Sequence, residues 1–355
     1  MAIQKITIQA YLQEPHNYLL LDVRSPGEYA HAHIPNATSL PLFNNEERSV
    51  VGTAYKQESR ENAIKIGLKY FGPKMVEMVE AVEKILAQNI QQQNSPKATS
   101  TKIVVHCWRG GMRSAGVAWL LDLYGFDVYT IVGGYKSYRY WVMQQFDKAY
   151  HFKVIGGFTG SGKTEILQIL KQANEVVIDL EALAQHKGST FGNLEAIQQP
   201  SQEMFENMLA MALYAANDRT IWLEDESQRI GNVTLPNILY LKKQSSMVYY
   251  IDIPFEERLQ PLVASYGKFK KDQIVTAIMR IKKRLGGLET KTAINFLLED
   301  DIQHCFAILL RYYDKYYLKG LEQNNRQIKK ITCNTVNAVC NANNLLTIVK
   351  EEKIL

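Results

Sequence analysis

The sequence predicts an α/β protein with two parallel-sheet domains in succession, and three observations carry that expectation. The chain has 355 residues, more than one core usually serves. Short apolar runs alternate with stretches of helical spacing, the pattern of βαβ units. Two of those runs, Ile103-Val104-Val105 and Phe152-Lys153-Val154-Ile155, lead into glycine-rich turns that open a helix.

The elements follow in order. Tyr18 to Val23 reads as a buried strand, and Arg24-Ser25-Pro26-Gly27 turns the chain away from it. Gly67 to Ala87 has helical spacing, and the polar stretch 88–101 reads as a solvated connection. Strand 103–105 meets a cysteine loop and a helix to Tyr124, then comes strand 128–132 closed by Gly133-Gly134. A helix over 135–149 leads to a boundary near residue 150, giving domains of 1–148 and 149–355. In the second domain, strands are expected at 152–155, 175–179, 220–224 and 247–252, with a mostly helical, basic part from Phe255 onward.

Composition narrows the class. With 46% hydrophobic and 22% charged residues the chain is an ordinary globular one. No apolar run approaches the ~18 residues that span a bilayer. Met1-Ala2-Ile3-Gln4-Lys5 lacks a secretory pattern, and Cys107, Cys305, Cys333 and Cys340 form neither a CxxC pair nor a disulfide framework. A cytoplasmic protein is expected. Cys305, Cys333 and Cys340 are expected in the core or on the surface without a chemical role. The net charge of +5 neither requires nor excludes nucleic acid.

The first loop is His106-Cys107-Trp108-Arg109-Gly110-Gly111-Met112-Arg113-Ser114. Loop amides, Arg109, Arg113 and the start of a helix can surround an anion beside a nucleophilic Cys107. Such a cradle serves either sulfur or selenium carried on cysteine, or phosphatase chemistry. His106 is expected to be structural, because strand alternation points it away from its neighbour. Upstream, Leu21-Asp22-Val23-Arg24-Ser25-Pro26-Gly27-Glu28-Tyr29 and His33-Ile34-Pro35-Asn36-Ala37 resemble the signature of rhodanese domains. That fold also includes phosphatases, whose loops are one residue longer, and the spacing from Cys107 to Arg113 matches the longer form.

The second loop, Gly157-Phe158-Thr159-Gly160-Ser161-Gly162-Lys163-Thr164, is a full Walker A string between a strand and a helix. Its amides can hold phosphate oxygens, Lys163 can neutralise them, and Thr164 can ligate Mg²⁺. Among Glu224, Asp225 and Glu226, Asp225 is the first choice for a metal or acid–base role. Asp179 and Glu181 stand where nucleotide kinases direct groups at substrate. The polar loop carrying His186, Ser189 and Phe191 either faces a substrate or connects helices. Basic residues interleave with aromatics at 135–141, 268–271, 280–284 and 311–317, a style suited to unpaired RNA. Arg284, before Leu285-Gly286-Gly287, can serve RNA or a phosphate.

The order of these motifs, with Trp222-Leu223-Glu224-Asp225-Glu226-Ser227-Gln228-Arg229-Ile230-Gly231 and Arg284-Leu285-Gly286-Gly287, resembles the bacterial tRNA 2-selenouridine synthases over nearly the whole chain. The resemblance implies a rhodanese-like domain followed by a P-loop NTPase-like domain. It implies that 2-thiouridine at the tRNA wobble position is S-alkylated by geranyl diphosphate, after which selenium from selenophosphate replaces the geranylthio group. Cys107 then carries a perselenide or helps remove the geranylthiol, and the Walker loop holds geranyl diphosphate rather than ATP. Arg229 and Arg284 become candidate tRNA or substrate contacts with His186 and Ser189. No tightly bound cofactor is expected beyond Mg²⁺, and no membrane partner. Two other readings are an ATP-dependent tRNA sulfurtransferase, whose adenylation signature is absent, and a nucleotide-sensing module with an inactive rhodanese domain.

Overall fold

The computed structural model describes residues 3–93, 102–186, 198–323 and 326–352. They form two compact units, Met1–Gln145 and Phe146–Leu355. Among the described residues, no helix is long and apolar enough to cross a membrane.

The first unit holds β1 (Gln4–Ile6), β2 (Tyr18–Asp22), β3 (Thr38–Ser39), β4 (Lys102–His106) and β5 (Val128–Ile131), in the order β1-β5-β4-β2-β3. All neighbouring pairs are parallel. β2 and β4 are apolar on both faces because both are covered. Leu19, Leu21, Ile103 and Val105 pack with Phe71, Val79, Val82, Val117 and Leu121 from three helices, while Leu20 and Val104 are buried as well. The helix expected over 67–87 is two, Arg60–Phe71 and Met75–Gln93, parted by a tight turn at Gly72–Lys74. Pro73 supplies no amide hydrogen to the ladder and crowds the preceding turn. The sequence reading missed β1 and the helix Asn45–Gln57. That helix starts with a reciprocal cap, Glu47 N–H to Asn44 Oδ1 at 2.8 Å and Asn44 N–H to Glu47 Oε2 at 2.9 Å.

A buried ion pair closes the end of β2. Arg24 Nη2 lies 2.6 Å from Asp22 Oδ2 and donates to Ala32 O at 2.7 Å, and its guanidinium stacks 3.8 Å above the Tyr135 ring. The helix Gly134–Asp147 starts against the cysteine loop: Tyr135 N–H donates to Cys107 O at 2.8 Å and Lys136 N–H to Trp108 O at 2.9 Å. A Cβ on Gly134, whose φ is +57°, would lie 2.3 Å from Cys107 O, so only glycine allows this approach. Tyr135, Tyr138 and Trp141 are buried in the core, while Lys136 and Tyr140 of the same stretch are exposed.

The second unit holds β6 (Phe152–Gly157), β7 (Val176–Ile178), β8 (Ile221–Glu224), the antiparallel pair β9 (Arg229–Ile230) and β10 (Val233–Thr234), β11 (Val248–Asp252) and β12 (Ile328–Thr332). The main sheet is parallel, in the order β12-β11-β6-β8-β7. β12 departs from the expected helical C-terminal part; its exposed lysines disguise a strand. Four helices, Phe255–Tyr266, Lys271–Leu285, Gly287–Leu298 and Ile302–Gln323, build a separate core around Ile274, Ile278, Leu297, Phe306 and Leu309. Cys305 and Cys333 are buried and Cys340 is exposed.

Removing one partner of a buried, hydrogen-bonded pair leaves an uncompensated charge, so Arg24→Ala is expected to destabilise the first unit by roughly 3–5 kcal/mol. Denaturant unfolding followed by tryptophan fluorescence measures it, and a change within experimental error refutes the role assigned to the pair.

Candidate active sites

Both glycine-rich loops leave the carboxyl edge of a parallel sheet. In the first unit β2 runs beside β4 with Asp22 opposite His106, so the turn after β2 lies next to the cysteine loop. Glu28, in the short helix Pro26–His31, thereby reaches Arg113: Nη1 donates to Oε2 at 2.8 Å and Nη2 to Oε1 at 3.4 Å. Burial opposes ionisation of Glu28, but Arg113, the Ser25 amide and Arg48 hold its carboxyl below the usual carboxylate range. Cys107 Sγ lies 3.3 Å from Ser114 Oγ, which also reaches Gly111 O at 3.1 Å. Cys107, itself buried, lines a cleft of about 570 Å³ with the rest of the loop and the helix Asn45–Gln57. Arg48, Lys56, Arg109 and Arg113 make it cationic, and Val51, Tyr55, Trp108 and Met112 give it an apolar wall. Such a lining suits an anion held beside a thiol.

In the second unit β6 pairs with β8 on one side and β11 on the other, placing the loop after β6 at the switch point of the sheet. Gly157, Gly160 and Gly162 all have positive φ. A Cβ on Gly160 would come 2.8 Å from Arg258 O. Arg258 is buried and clamps the loop: Nη1 donates to Thr159 O and to Asp314 Oδ1, each at 3.0 Å, and Nη2 to Asp314 Oδ2 at 2.7 Å. Tyr317 Oη accepts from Gly157 N–H at 3.1 Å and donates to Asp225 Oδ2 at 2.8 Å. Lys163 Nζ donates to Gly157 O at 3.2 Å and lies 3.6 Å from Glu224 Oε1, while Thr164 Oγ1 is 3.5 Å from Glu224 Oε2. Carboxylate oxygens of Glu181, Glu224 and Glu226 lie within 4.8 Å of one another. Burial, reinforced by Glu224 and Glu226, pushes the Glu181 carboxyl up to about 9, and burial with Glu224 pushes Glu226 up to about 7. An all-oxygen donor set that resists ionisation by itself suits a hard divalent cation such as Mg²⁺.

Comparison with known proteins fits this pairing of sites. Residues 8–140 match the model of the rhodanese-like domain, and residues 150–344 match that of the tRNA 2-selenouridine synthase AAA domain. Three proteins named tRNA 2-selenouridine synthase align along most of their length. That of Sulfurovum sp. is 33% identical over 350 residues, covering 88% of this chain and 91% of its own. That of Marinobacter nauticus is 32% identical, covering 87% and 90%. That of Nitrosomonas eutropha is 36% identical, covering 86% and 88%. The chain belongs to the tRNA 2-selenouridine synthase family.

The structure redistributes several residues singled out by sequence in this family member. Asp225 is corrected as the metal or acid–base carboxylate. It is held by Lys243, Arg326 and Tyr317, and those cations keep it ionised against the cost of burial. Alternation at the end of β8 explains the exchange, since Glu224 and Glu226 share one side and Asp225 takes the other. Asp179 caps the helix Leu180–Ala184 through Ala182 N–H at 2.8 Å, while Glu181 joins the cluster. His186 is buried, and Ser189 and Phe191 lie outside the described residues. Arg229 is exposed and donates to Gly231 O at 2.9 Å. Arg284 is exposed in the last turn of its helix. The 311–317 cluster is split: Asp314 and Tyr317 serve the phosphate loop, while Lys315 and Tyr316 remain on the surface. Arg48, Lys56 and Arg258 were missed, and no motif marks them.

His106 behaves as the structural residue expected. It is fully buried 3.7 Å from Asp22, and burial outweighs that carboxylate, lowering its pKa to about 4. The native state therefore prefers neutral imidazole, whereas the unfolded chain takes up a proton below about 6.5. Stability should fall between pH 6.5 and 4 by about 3 kcal/mol from this residue. Unfolding titrations across that range check it; a His106→Gln slope equal to the wild-type slope refutes the attribution.

Proposed function

We propose that this protein makes 2-selenouridine at the wobble position of tRNA from 2-thiouridine, in two anion-handling steps divided between its units. The observation that carries the reading is one chain holding a cationic cysteine cradle and a complete phosphate loop, in a family whose members are named for this product. In the first step the 2-thiouridine sulfur attacks C1 of geranyl diphosphate. The C–S bond forms, the C–O bond breaks, diphosphate leaves, and the N3 proton is lost to solvent. The phosphate-loop amides and Lys163 stabilise the departing diphosphate, the main electrostatic task of such an alkylation. Arg258 and Tyr317 hold the loop in the shape that presents those amides. Thr164, Glu224 and their neighbours Glu181 and Glu226 would hold Mg²⁺, which when bound supplies further neutralisation of diphosphate. In the second step the selenium of selenophosphate attacks C2, the C–Se bond forms as the C–S bond breaks, geranylthiol leaves with the selenol proton, and the remaining P–Se bond is then cleaved to release phosphate. Arg109 and Arg113, with Arg48 and Lys56, offset the charge of that donor beside Cys107.

Separate sites predict separable defects. Cys107→Ala should abolish 2-selenouridine while leaving S-geranylation of 2-thiouridine at its wild-type rate. Lys163→Ala should slow geranylation on the order of a hundredfold, the usual cost of losing one donor to a developing anion. Nucleoside mass analysis after incubation with 2-thiouridine tRNA, geranyl diphosphate and selenophosphate reads both, with and without ATP. Equal loss of both steps in Cys107→Ala refutes the division, and a strict ATP requirement favours a sulfurtransferase-like reading.

The raised carboxyls make a further test independent of turnover. Binding of Mg²⁺ near pH 7 should expel protons from the Glu181–Glu226 cluster, because the cation and the protons compete for the same oxygens. Calorimetry in buffers of different ionisation enthalpy should detect that release and find it reduced in Glu181→Gln. Buffer-independent heats would remove the cluster from the site.

A further inference from the structure

We propose that Cys107 is a phosphoryl acceptor that breaks the P–Se bond remaining after selenium has joined the uridine, an assignment that rests on the two-step reading above. Selenium in selenophosphate is already at the selenide level, so replacing the geranylthio group at C2 is a substitution without net redox change. Carrying the selenium as a perselenide on Cys107 would need a two-electron oxidant, and neither substrate is one. Substitution leaves a phosphoryl group on selenium, and that group has to be removed before 2-selenouridine is free.

The cysteine loop is built for attack at phosphorus. Cys107 lines the cleft together with Arg109, Gly111 and Arg113. Arg113 has five N–H donors in a fixed fork, and Glu28 holds the guanidinium at Nη1 and Nη2, orienting the remaining donors for a tetrahedral oxyanion. Ser114 Oγ stands between two partners, Gly111 O at 3.1 Å and Cys107 Sγ at 3.3 Å. Its hydroxyl can turn from the carbonyl to a sulfur that has gained negative charge. A sulfur that only carried selenium would have no need of that second donor position, whereas a thiolate that must leave phosphorus does.

The bonds balance. Sγ attacks phosphorus, the P–S bond forms as the P–Se bond breaks, and the electron pair departs with 2-selenouridine. Water then attacks the cysteinyl phosphate, the P–S bond breaks, inorganic phosphate leaves, and the pair returns to Sγ. Ser114 stabilises that departing thiolate and so acts as a positioning residue for the second half.

The test uses the full chain with S-geranyl-2-thiouridine tRNA and radiophosphorus-labelled selenophosphate, quenched at short times. Ser114→Ala should slow turnover on the order of a hundredfold and accumulate label on Cys107, found by peptide mass as one added phosphoryl group. Cys107→Ala should instead accumulate tRNA whose selenium still bears the phosphoryl group. Unreacted S-geranyl tRNA in Cys107→Ala, with no selenium–phosphoryl species, would place Cys107 before selenium transfer and overturn the assignment. So would Ser114→Ala turning over at the wild-type rate without label. A wild-type protein that makes no 2-selenouridine from this tRNA would instead overturn the two-step reading itself.

Discussion

Parallel pairing in register is the constraint on which both sites depend. Hydrogen bonds between β2 and β4 set Asp22 opposite His106, and those between β6 and β8 set Ile155 opposite Glu224. Parallel strands bring successive carboxyl ends to the same edge, so residues far apart in sequence meet there without long side chains. Glu28 reaches Arg113 across 85 positions, and Glu224 reaches Thr164 across 60. A one-residue slip in either pair would turn these side chains to the opposite face and separate the carboxylates from their partners.

Backbone that turns inward around an anion gains little from its own hydrogen bonds, so each loop is pinned from outside. In the first unit, the start of the helix Gly134–Asp147 donates its amides to Cys107 O and Trp108 O. In the second, Arg258 ties Thr159 O to Asp314 and Tyr317 accepts from the Gly157 amide. The second arrangement makes the helical part a structural support of the phosphate loop. Buried ion pairs are poor sources of net stability, yet they fix orientation well. Asp22–Arg24 and Arg258–Asp314 both stand where orientation of a turn matters most.

Much of this was legible in the sequence because glycine spacing and apolar runs report local demands. The Walker string, the cysteine loop and most of the central strands follow from requirements for positive φ and for burial on both faces. What was illegible depends on tertiary neighbours. Nothing near Arg48 or Lys56 indicates that their helix walls the Cys107 cleft. Tyr317 reads as one aromatic among several, and only the fold brings it to Gly157. Asp225 and Glu224 are indistinguishable as types, although the period of a strand separates their sides. β12 was hidden because an edge strand with exposed lysines lacks the apolar continuity of the inner strands.

The two anion seats differ in sign, and the difference orders their chemistry. Around Cys107 the lining cations are Arg48, Lys56, Arg109 and Arg113, with Glu28 engaged by Arg113. A multiply charged donor finds compensation there from side chains alone. Around Lys163, whose Nζ lies 3.6 Å from Glu224 Oε1, three carboxylates stand within 4.8 Å of one another. At an effective dielectric of ~20, like charges at that distance repel by roughly 3 kcal/mol per pair, enough to keep protons on the cluster near neutrality. A diphosphate entering that seat alone would add repulsion, whereas one entering with a divalent cation would relieve it. On the proposed reading, the carboxylates would favour a metal-bearing diphosphate over a bare oxyanion. The described lining of the Cys107 cleft carries no carboxylate. Under that reading, charge compensation would sort selenophosphate from geranyl diphosphate, even though both present phosphate oxygens to backbone amides.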